Sequence, residues 1–212
     1  MSSKYGGYTG KILKVDLGKK SFEEYPFTDK ERELFLGGKI MAAKIIYDNI
    51  KAKIEPLSED NMMVVTTCPL TGTGVPSSSR FNISSISPLT GLLCSSNCGG
   101  SFGFNLKRAG YDGLIIVGKA KEKTYLKVTD KKIEFSPADE IWGKTTGETQ
   151  KALGGRGGKI VIGPAGENLV RYACIVSEER AAGRGGLGAV MGSKNLKAVV
   201  AEGTYTPQAF NK

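Results

Sequence analysis

At 212 residues, 40 % of them hydrophobic, the chain is long enough to bury a real core as one large domain or two small, intimately packed ones. It holds no histidine, which removes the commonest general base, the commonest metal ligand and every nucleophile–histidine pair, so hydrolase readings start far behind. The net charge of +9 is spread over single lysines and pairs such as Lys19-Lys20 and Lys131-Lys132 with few aromatics beside them, which disfavours nucleic acid and suits an anionic cofactor or an acidic partner.

In chain order, Leu13–Leu17 and Ser21–Tyr25 alternate around Gly18-Lys19-Lys20 and predict a β-hairpin. Thr28-Asp29-Lys30-Glu31 is a capping-box pattern that opens a helix toward Leu36. After Gly37-Gly38, Ile40, Ala43, Ile46 and Tyr47 mark a helical stripe over Lys39–Ile50. Strands are expected at Met63–Thr67, Phe81–Ser85, Leu114–Val117, Tyr125–Val128, Ile133–Phe135, Ile160–Ile162, Tyr172–Val176 and Ala198–Ala201. Short helices fit around Phe102–Ala109 and Glu148–Leu153, and Thr204–Lys212 reads as a tail, a disordered end or a severed linker.

An internal repeat organises these elements. Leu13-Lys14-Val15-Asp16 returns as Leu126-Lys127-Val128-Thr129, Val64-Val65-Thr66-Thr67 before Pro69 and Gly72 as Lys159-Ile160-Val161-Ile162 before Pro164 and Gly166, and Gly100–Gly118 as Gly185–Gly203. The offset falls from 113 to 95 to 85, so the second copy is the shorter. Each copy reads as hairpin, helix, strand, loop, strand, glycine-rich loop, short helix, strand. The fold expected is α+β, a single duplicated domain over 1–203 whose repeats cover about 10–119 and about 124–203, related by a pseudo-two-fold axis and sharing one core.

Three segments carry the chemistry: Ser77-Ser78-Ser79-Arg80-Phe81-Asn82, Ser95-Ser96-Asn97-Cys98-Gly99-Gly100, and Glu178-Glu179-Arg180-Ala181-Ala182-Gly183-Arg184-Gly185-Gly186. Arginine offers a planar, permanently charged fork, and glycine lets main-chain amides approach a ligand, so these loops suit a large anionic group. The alternative is that Arg180 and Arg184 form surface ion pairs with Glu178 and Glu179. Because Gly100 and Gly185 are equivalent in the repeat, the turn Asn97–Gly100 corresponds to Ala182–Gly185, and two such turns suit a ligand that is itself doubled. Cys94 and Cys98, with Cys68 and Cys174, lack the second close pair or histidine of a four-ligand metal site and read as buried thiols of a reduced, cytoplasmic protein. Asp112 reads as a turn residue and Trp142 as a core or interface anchor. No stretch approaches the roughly 18 uninterrupted apolar residues of a membrane span.

The same runs, together with Pro69-Leu70-Thr71-Gly72-Thr73, Ser87-Pro88-Leu89-Thr90-Gly91, Ala109-Gly110-Tyr111-Asp112-Gly113, Gly163-Pro164-Ala165-Gly166-Glu167-Asn168 and Gly188-Ala189-Val190-Met191-Gly192-Ser193-Lys194-Asn195, resemble the tungsten-dependent aldehyde:ferredoxin oxidoreductases from about Gly10 to Gly203. The resemblance implies an N-terminal domain of two mainly antiparallel six-stranded halves that holds a tungstopterin, a bis-pterin with tungsten or molybdenum. It implies cofactor contacts from Arg80, Asn97, Gly99, Arg180, Ala181, Gly183 and Arg184. Aldehyde oxidation to a carboxylate would pass electrons to ferredoxin. The 4Fe-4S cluster and the catalytic acid/base groups of the family lie on further domains not found here, so this chain is expected to be a small subunit beside a large partner, or a truncated form inactive alone. A homo-oligomer is compatible with this. The rival reading is a non-catalytic assembly or binding protein that docks a partner subunit through the same fold.

Overall fold

A computed structural model of the chain describes residues 3–208. The first half runs β1 (Ile12–Asp16), β2 (Ser21–Tyr25), α1 (Asp29–Phe35), α2 (Gly38–Asn49), β3 (Met63–Thr66), β4 (Phe81–Ile86), β5 (Leu93–Cys98), α3 (Phe102–Arg108) and β6 (Gly113–Val117). The second runs β7 (Thr124–Thr129), β8 (Ile133–Pro137), α4 (Thr146–Leu153), β9 (Gly158–Val161), α5 (Pro164–Glu167), β10 (Ile175–Ser177), β11 (Arg180–Ala182), α6 (Leu187–Ser193) and β12 (Leu196–Glu202). The first sheet has the order β2-β1-β6-β3-β4-β5, and the second, read from β8, has the matching order β8-β7-β12-β9-β10-β11.

The two sheets also share their register. Ile12 stands opposite Gly113 in the parallel pair β1/β6, and Tyr125 opposite Ala198 in the parallel pair β7/β12. Thr66 pairs with Gly113 as Val161 pairs with Ala198. These correspondences have the spacings of the sequence repeat, and all other neighbours are antiparallel, so the fold is α+β with two six-stranded mixed sheets.

Alternation along the strands explains the layering. Leu13, Val15, Met63, Val65, Leu114 and Ile116 point into a core shared with Leu126, Val128, Ile160, Ile175 and Val199 of the second sheet. Their neighbours Ile12, Val64 and Ile115 point the other way, onto Met41, Ala42 and Ile45 of α2. With a side-chain period of two, a one-residue slip would exchange the two faces, so the apolar pattern pins the register. The last helix of each repeat crosses over: α3 lies on β9 and β12, and α6 lies on β3 and β4 as well as on its own β12. Lys194, fully buried, reaches from the second repeat to the carbonyls of Asn61 (2.5 Å) and Gly118 (3.0 Å) of the first, and burial pushes its pKa down to about 8.

Several expectations need correction. β5 and β11 fall in segments read as loops: β5 is a polar edge strand without apolar alternation, and β11 has three residues. The strand expected at Tyr172 begins at Ile175, and Tyr172 is exposed. A disordered end does not hold over 204–208. Thr204 donates to Asp130, the Tyr205 amide to the Arg108 carbonyl, and the Gly7 amide to the Gln208 carbonyl, while Pro207 is buried against Gly72. Residues 209–212 of the expected tail lie outside the described residues. Asp112 is more than a turn residue: it is 2 % exposed, pairs with the wholly buried Lys107 at 2.5 Å and accepts the amides of Thr9 and Gly10. Trp142 is half-buried, with the Lys123 ammonium 5.5 Å from its ring centroid. Among the described residues no helix is long and apolar enough to cross a membrane.

Candidate functional site

The crossing of the two repeats sets β5, the outer strand of the first sheet, beside β11, the outer strand of the second. Both arginine-bearing turns sit where these strands end. In the first, Phe81 stands opposite Cys98 and Asn82 opposite Asn97, so Arg80, just ahead of β4, donates from Nη1 to Oδ1 of Asn97 at 2.5 Å. In the second repeat, Arg180 opens β11, pairing with Ser177 across the two-residue hairpin turn Glu178-Glu179, and Arg184 lies in the turn that follows β11.

Contacts then join the turns. A Cβ placed on Gly99 would lie 3.5 Å from Cγ of Arg180, so this turn rests on the arginine stem. The Arg184 amide donates to Oγ of Ser96 at 3.2 Å, and the Ser101 amide to Oε1 of Glu178 at 3.2 Å. Gly183 lies against Sγ of Cys174. All seven residues expected at a site, Arg80, Asn97, Gly99, Arg180, Ala181, Gly183 and Arg184, are thereby gathered at one edge, and all but the half-buried Gly99 are exposed. One equivalence shifts: the ladder sets Asn97 opposite Asn82 and Ala181 opposite Val176, so Asn97 corresponds to Ala181 rather than Ala182, and the second turn is one residue longer.

Electrostatically the edge is open. Among the described residues Arg80, Arg180 and Arg184 make no ion pair, which answers the surface-pair alternative, since the carboxylate of Glu178 is engaged by the Ser101 amide. The Gly183 amide reaches no backbone carbonyl of the described residues, whereas the Gly99 amide is turned onto the Cys98 sulfur. Cys98 behaves as a buried thiol: burial pushes its pKa up to about 11, against the pull of Arg80 and nearby backbone amides. All four cysteines are free thiols. The serines ahead of Arg80 shape their own loop, with Oγ of Ser78 donating to the Val75 carbonyl at 2.7 Å.

Sequence reasoning missed Gln150 and Ser177, and gave Ser96 no role of its own. Gln150 of α4 brackets Glu178, accepting its amide at 2.6 Å and donating to its carbonyl at 3.1 Å. Ser177 lies directly under Gly100, its Oγ without a hydrogen-bond partner among the described residues. Nothing in local spacing signals these contacts, because they join segments brought together only by the meeting of two sheets.

Fold and edge together define the class: a duplicated α+β domain of two matching six-stranded sheets whose outer strands bring arginine-bearing turns to one edge. The model of the aldehyde ferredoxin oxidoreductase N-terminal domain matches residues 12–203, and the chain belongs to that family. It is 41 % identical over 214 residues to the tungsten-containing aldehyde ferredoxin oxidoreductase of Pyrococcus furiosus, covering 98 % of this chain and 35 % of the relative. To that of Pyrococcus abyssi it is 44 % identical, over 97 % of this chain and 35 % of the relative. The aliphatic sulfonate oxidoreductase, WOR-like subunit, of Pyrococcus furiosus is 37 % identical over 97 % of this chain and 36 % of the relative. Among solved structures, the active site complex BamBC of benzoyl coenzyme A reductase with 1,5-dienoyl-CoA superposes with a TM-score of 0.92 at 39 % identity, over 95 % of this chain and 32 % of that one. The chain thus spans about a third of the length of these relatives.

Proposed function

We propose that this chain is the cofactor-holding part of an aldehyde:ferredoxin oxidoreductase and that the β5/β11 edge receives a tungsten or molybdenum bis-pterin. The observation that carries the reading is that β5 and β11 lie side by side, so that a glycine-lined turn of each repeat reaches one edge with three guanidinium groups that make no ion pair among the described residues. Arg80, Arg180 and Arg184 offset the anionic charge of the group, since an arginine fork pairs with phosphate and keeps its proton at any working pH. Asn97, Gly99, Ala181 and Gly183 supply polar and main-chain contacts, and the Gly183 amide, without a backbone partner among the described residues, is a donor of the kind such a ligand needs. When bound, the cofactor supplies two-electron oxidation of an aldehyde to a carboxylate.

Relatives named for aldehydes, a sulfonate and a coenzyme A thioester share this domain, which supports a role in holding the cofactor rather than in choosing the substrate. The 4Fe-4S cluster, the acid/base groups and the docking of ferredoxin belong in this reading to a larger partner or to the remaining two-thirds of the enzyme. Free thiols suit a reducing, cytoplasmic compartment. The rival, a non-catalytic docking protein, is favoured by the exposed Leu89, Leu92 and Tyr47 near a groove of about 340 Å³ beside α2. Co-expression with a candidate large subunit separates the two. The purified complex should contain metal and pterin, and Arg180→Ala with Arg184→Ala should reduce both by about tenfold or more, the expected loss of two charge-assisted contacts. Unchanged cofactor content in that double variant would overturn the assignment.

A further inference from the structure

The arginine-bearing turns come from different repeats, so each sheet could place its own turn well and still leave the pair misaligned. In the hairpin turn between β10 and β11, just ahead of Arg180, Glu178 has φ of +54°, a left-handed conformation that a non-glycine residue keeps only where its surroundings hold it. The surroundings here are specific. Gln150 clips the backbone of Glu178 on both sides, accepting from its amide and donating to its carbonyl. The Glu178 side chain then crosses to the other repeat and accepts the Ser101 amide, immediately after Gly100. Gly100, at φ of +90°, sits on Ser177, one residue before Glu178. A chain of contacts therefore runs from α4 through Gln150 and Glu178 to the first turn, and Arg180 follows two residues later.

We infer that Glu178 and Gln150 are positioning residues that set the two cofactor turns against each other, fixing the distance between the Asn97–Gly99 edge and Arg180. Neither residue contacts the ligand in this scheme. The inference rests on the reading of the β5/β11 edge as a cofactor site, but its first step, alignment of the turns, is measurable without any cofactor.

Carboxylate charge is not required of Glu178, only an acceptor oxygen at the Ser101 amide. Glu178→Gln keeps that oxygen and should behave as the natural chain, whereas Glu178→Ala and Gln150→Ala should not. In the full 212-residue chain, amide hydrogen exchange at Ser101 should accelerate about tenfold in both alanine variants, the effect of losing one hydrogen bond, while core amides such as those of Ile115 and Val199 keep their protection. In the complex with the large partner, both alanine variants should retain several-fold less pterin and metal, with Glu178→Gln restoring both. Unchanged Ser101 exchange in Glu178→Ala and Gln150→Ala overturns the inference. So does normal cofactor content in these variants when Arg180→Ala, Arg184→Ala loses it. If the arginine variant also keeps its cofactor, the site assignment fails, and the exchange data still decide whether the two turns are aligned by this pair.

Discussion

The two repeats agree in strand order and register and disagree in the sign of the charge at one buried position. Asp112 and Lys197 are equivalent, each preceding the residue (Gly113 or Ala198) that faces the first strand of its repeat. In the first repeat the carboxylate of Asp112 pairs with Lys107 and accepts the amides of Thr9 and Gly10, holding the segment that leads into β1. In the second, the ammonium of Lys197 pairs with Glu167 and donates to the Lys144 carbonyl, while Glu167 accepts the Gly143 amide, so the loop leading into α4 is held. Either solution satisfies the backbone of an irregular segment from inside the core. The apolar register admits no such freedom, because one slip would expose a whole face, whereas a latch needs only an internal partner of opposite sign.

The strongest test of that comparison removes one member of each latch. Asp112→Ala leaves Lys107 fully buried without a counter-ion, held by the Gly7 carbonyl and lying over the Tyr8 ring, and Lys197→Ala leaves Glu167 buried without its counter-ion. Each should cost about 3–5 kcal/mol, the usual penalty for breaking a buried pair from one side. Urea unfolding measures both. If either variant loses less than about 1 kcal/mol, the two latches are not equivalent devices.

How much of this was legible beforehand depends on which force wrote the pattern. The hairpins follow from alternation and turn residues, β3, β6, β9 and β12 from short apolar runs buried on both faces, and the duplication from the recurrence of both, so the sheets were readable. The edge strands β5 and β11 were not: Leu-Cys-Ser-Ser-Asn-Cys and Arg-Ala-Ala carry little apolar pattern, and pairing with β4 and β10 makes them strands. Lys107, Lys194 and Lys197 were hidden for the opposite reason, since lysine is normally exposed and its burial depends on partners distant in sequence. The candidate turns stand out in the sequence as types, because glycine and arginine together suit an anion loop, and the repeat relates them, but the contacts of Gly99 with Arg180 and of Ser96 with Arg184 are visible only in the structure. The extra residue in the second turn escaped notice for the same cause, as only the ladder counts it.

A second test sharpens the comparison at the turns. Gly185, at φ of +73°, packs so closely on Cys94 that an added Cβ would lie 2.2 Å from its Sγ and 2.9 Å from its Cβ. Gly100 meets chiefly the Ser177 hydroxyl, at 2.8 Å, which can turn away. Gly185→Ala should therefore cost more than Gly100→Ala within a range of about 1–3 kcal/mol. Thermal unfolding of the single variants, and of Gly185→Ala combined with Cys94→Gly, checks this. If the double variant recovers nothing, backbone strain rather than the thiol sets the cost.

The smallest effect compares the helix starts. Thr28 opens α1 and Thr145 opens α4, each with a complete capping box to Glu31 or Glu148, so Thr28→Ala and Thr145→Ala should each lower stability by about 1 kcal/mol. Equal stability losses should have unequal local consequences. α4 carries Gln150, which grips the β10–β11 turn, while α1 packs on α2 and holds the N-terminal segment through Asp29, Arg32 and Glu33. Fraying of α4 in Thr145→Ala should therefore raise amide exchange at Glu178, and the same measurement in Thr28→Ala should not change. If both variants leave Glu178 equally protected, α4 does not transmit its order to the turn, and the helix of the second repeat serves only to cover its sheet.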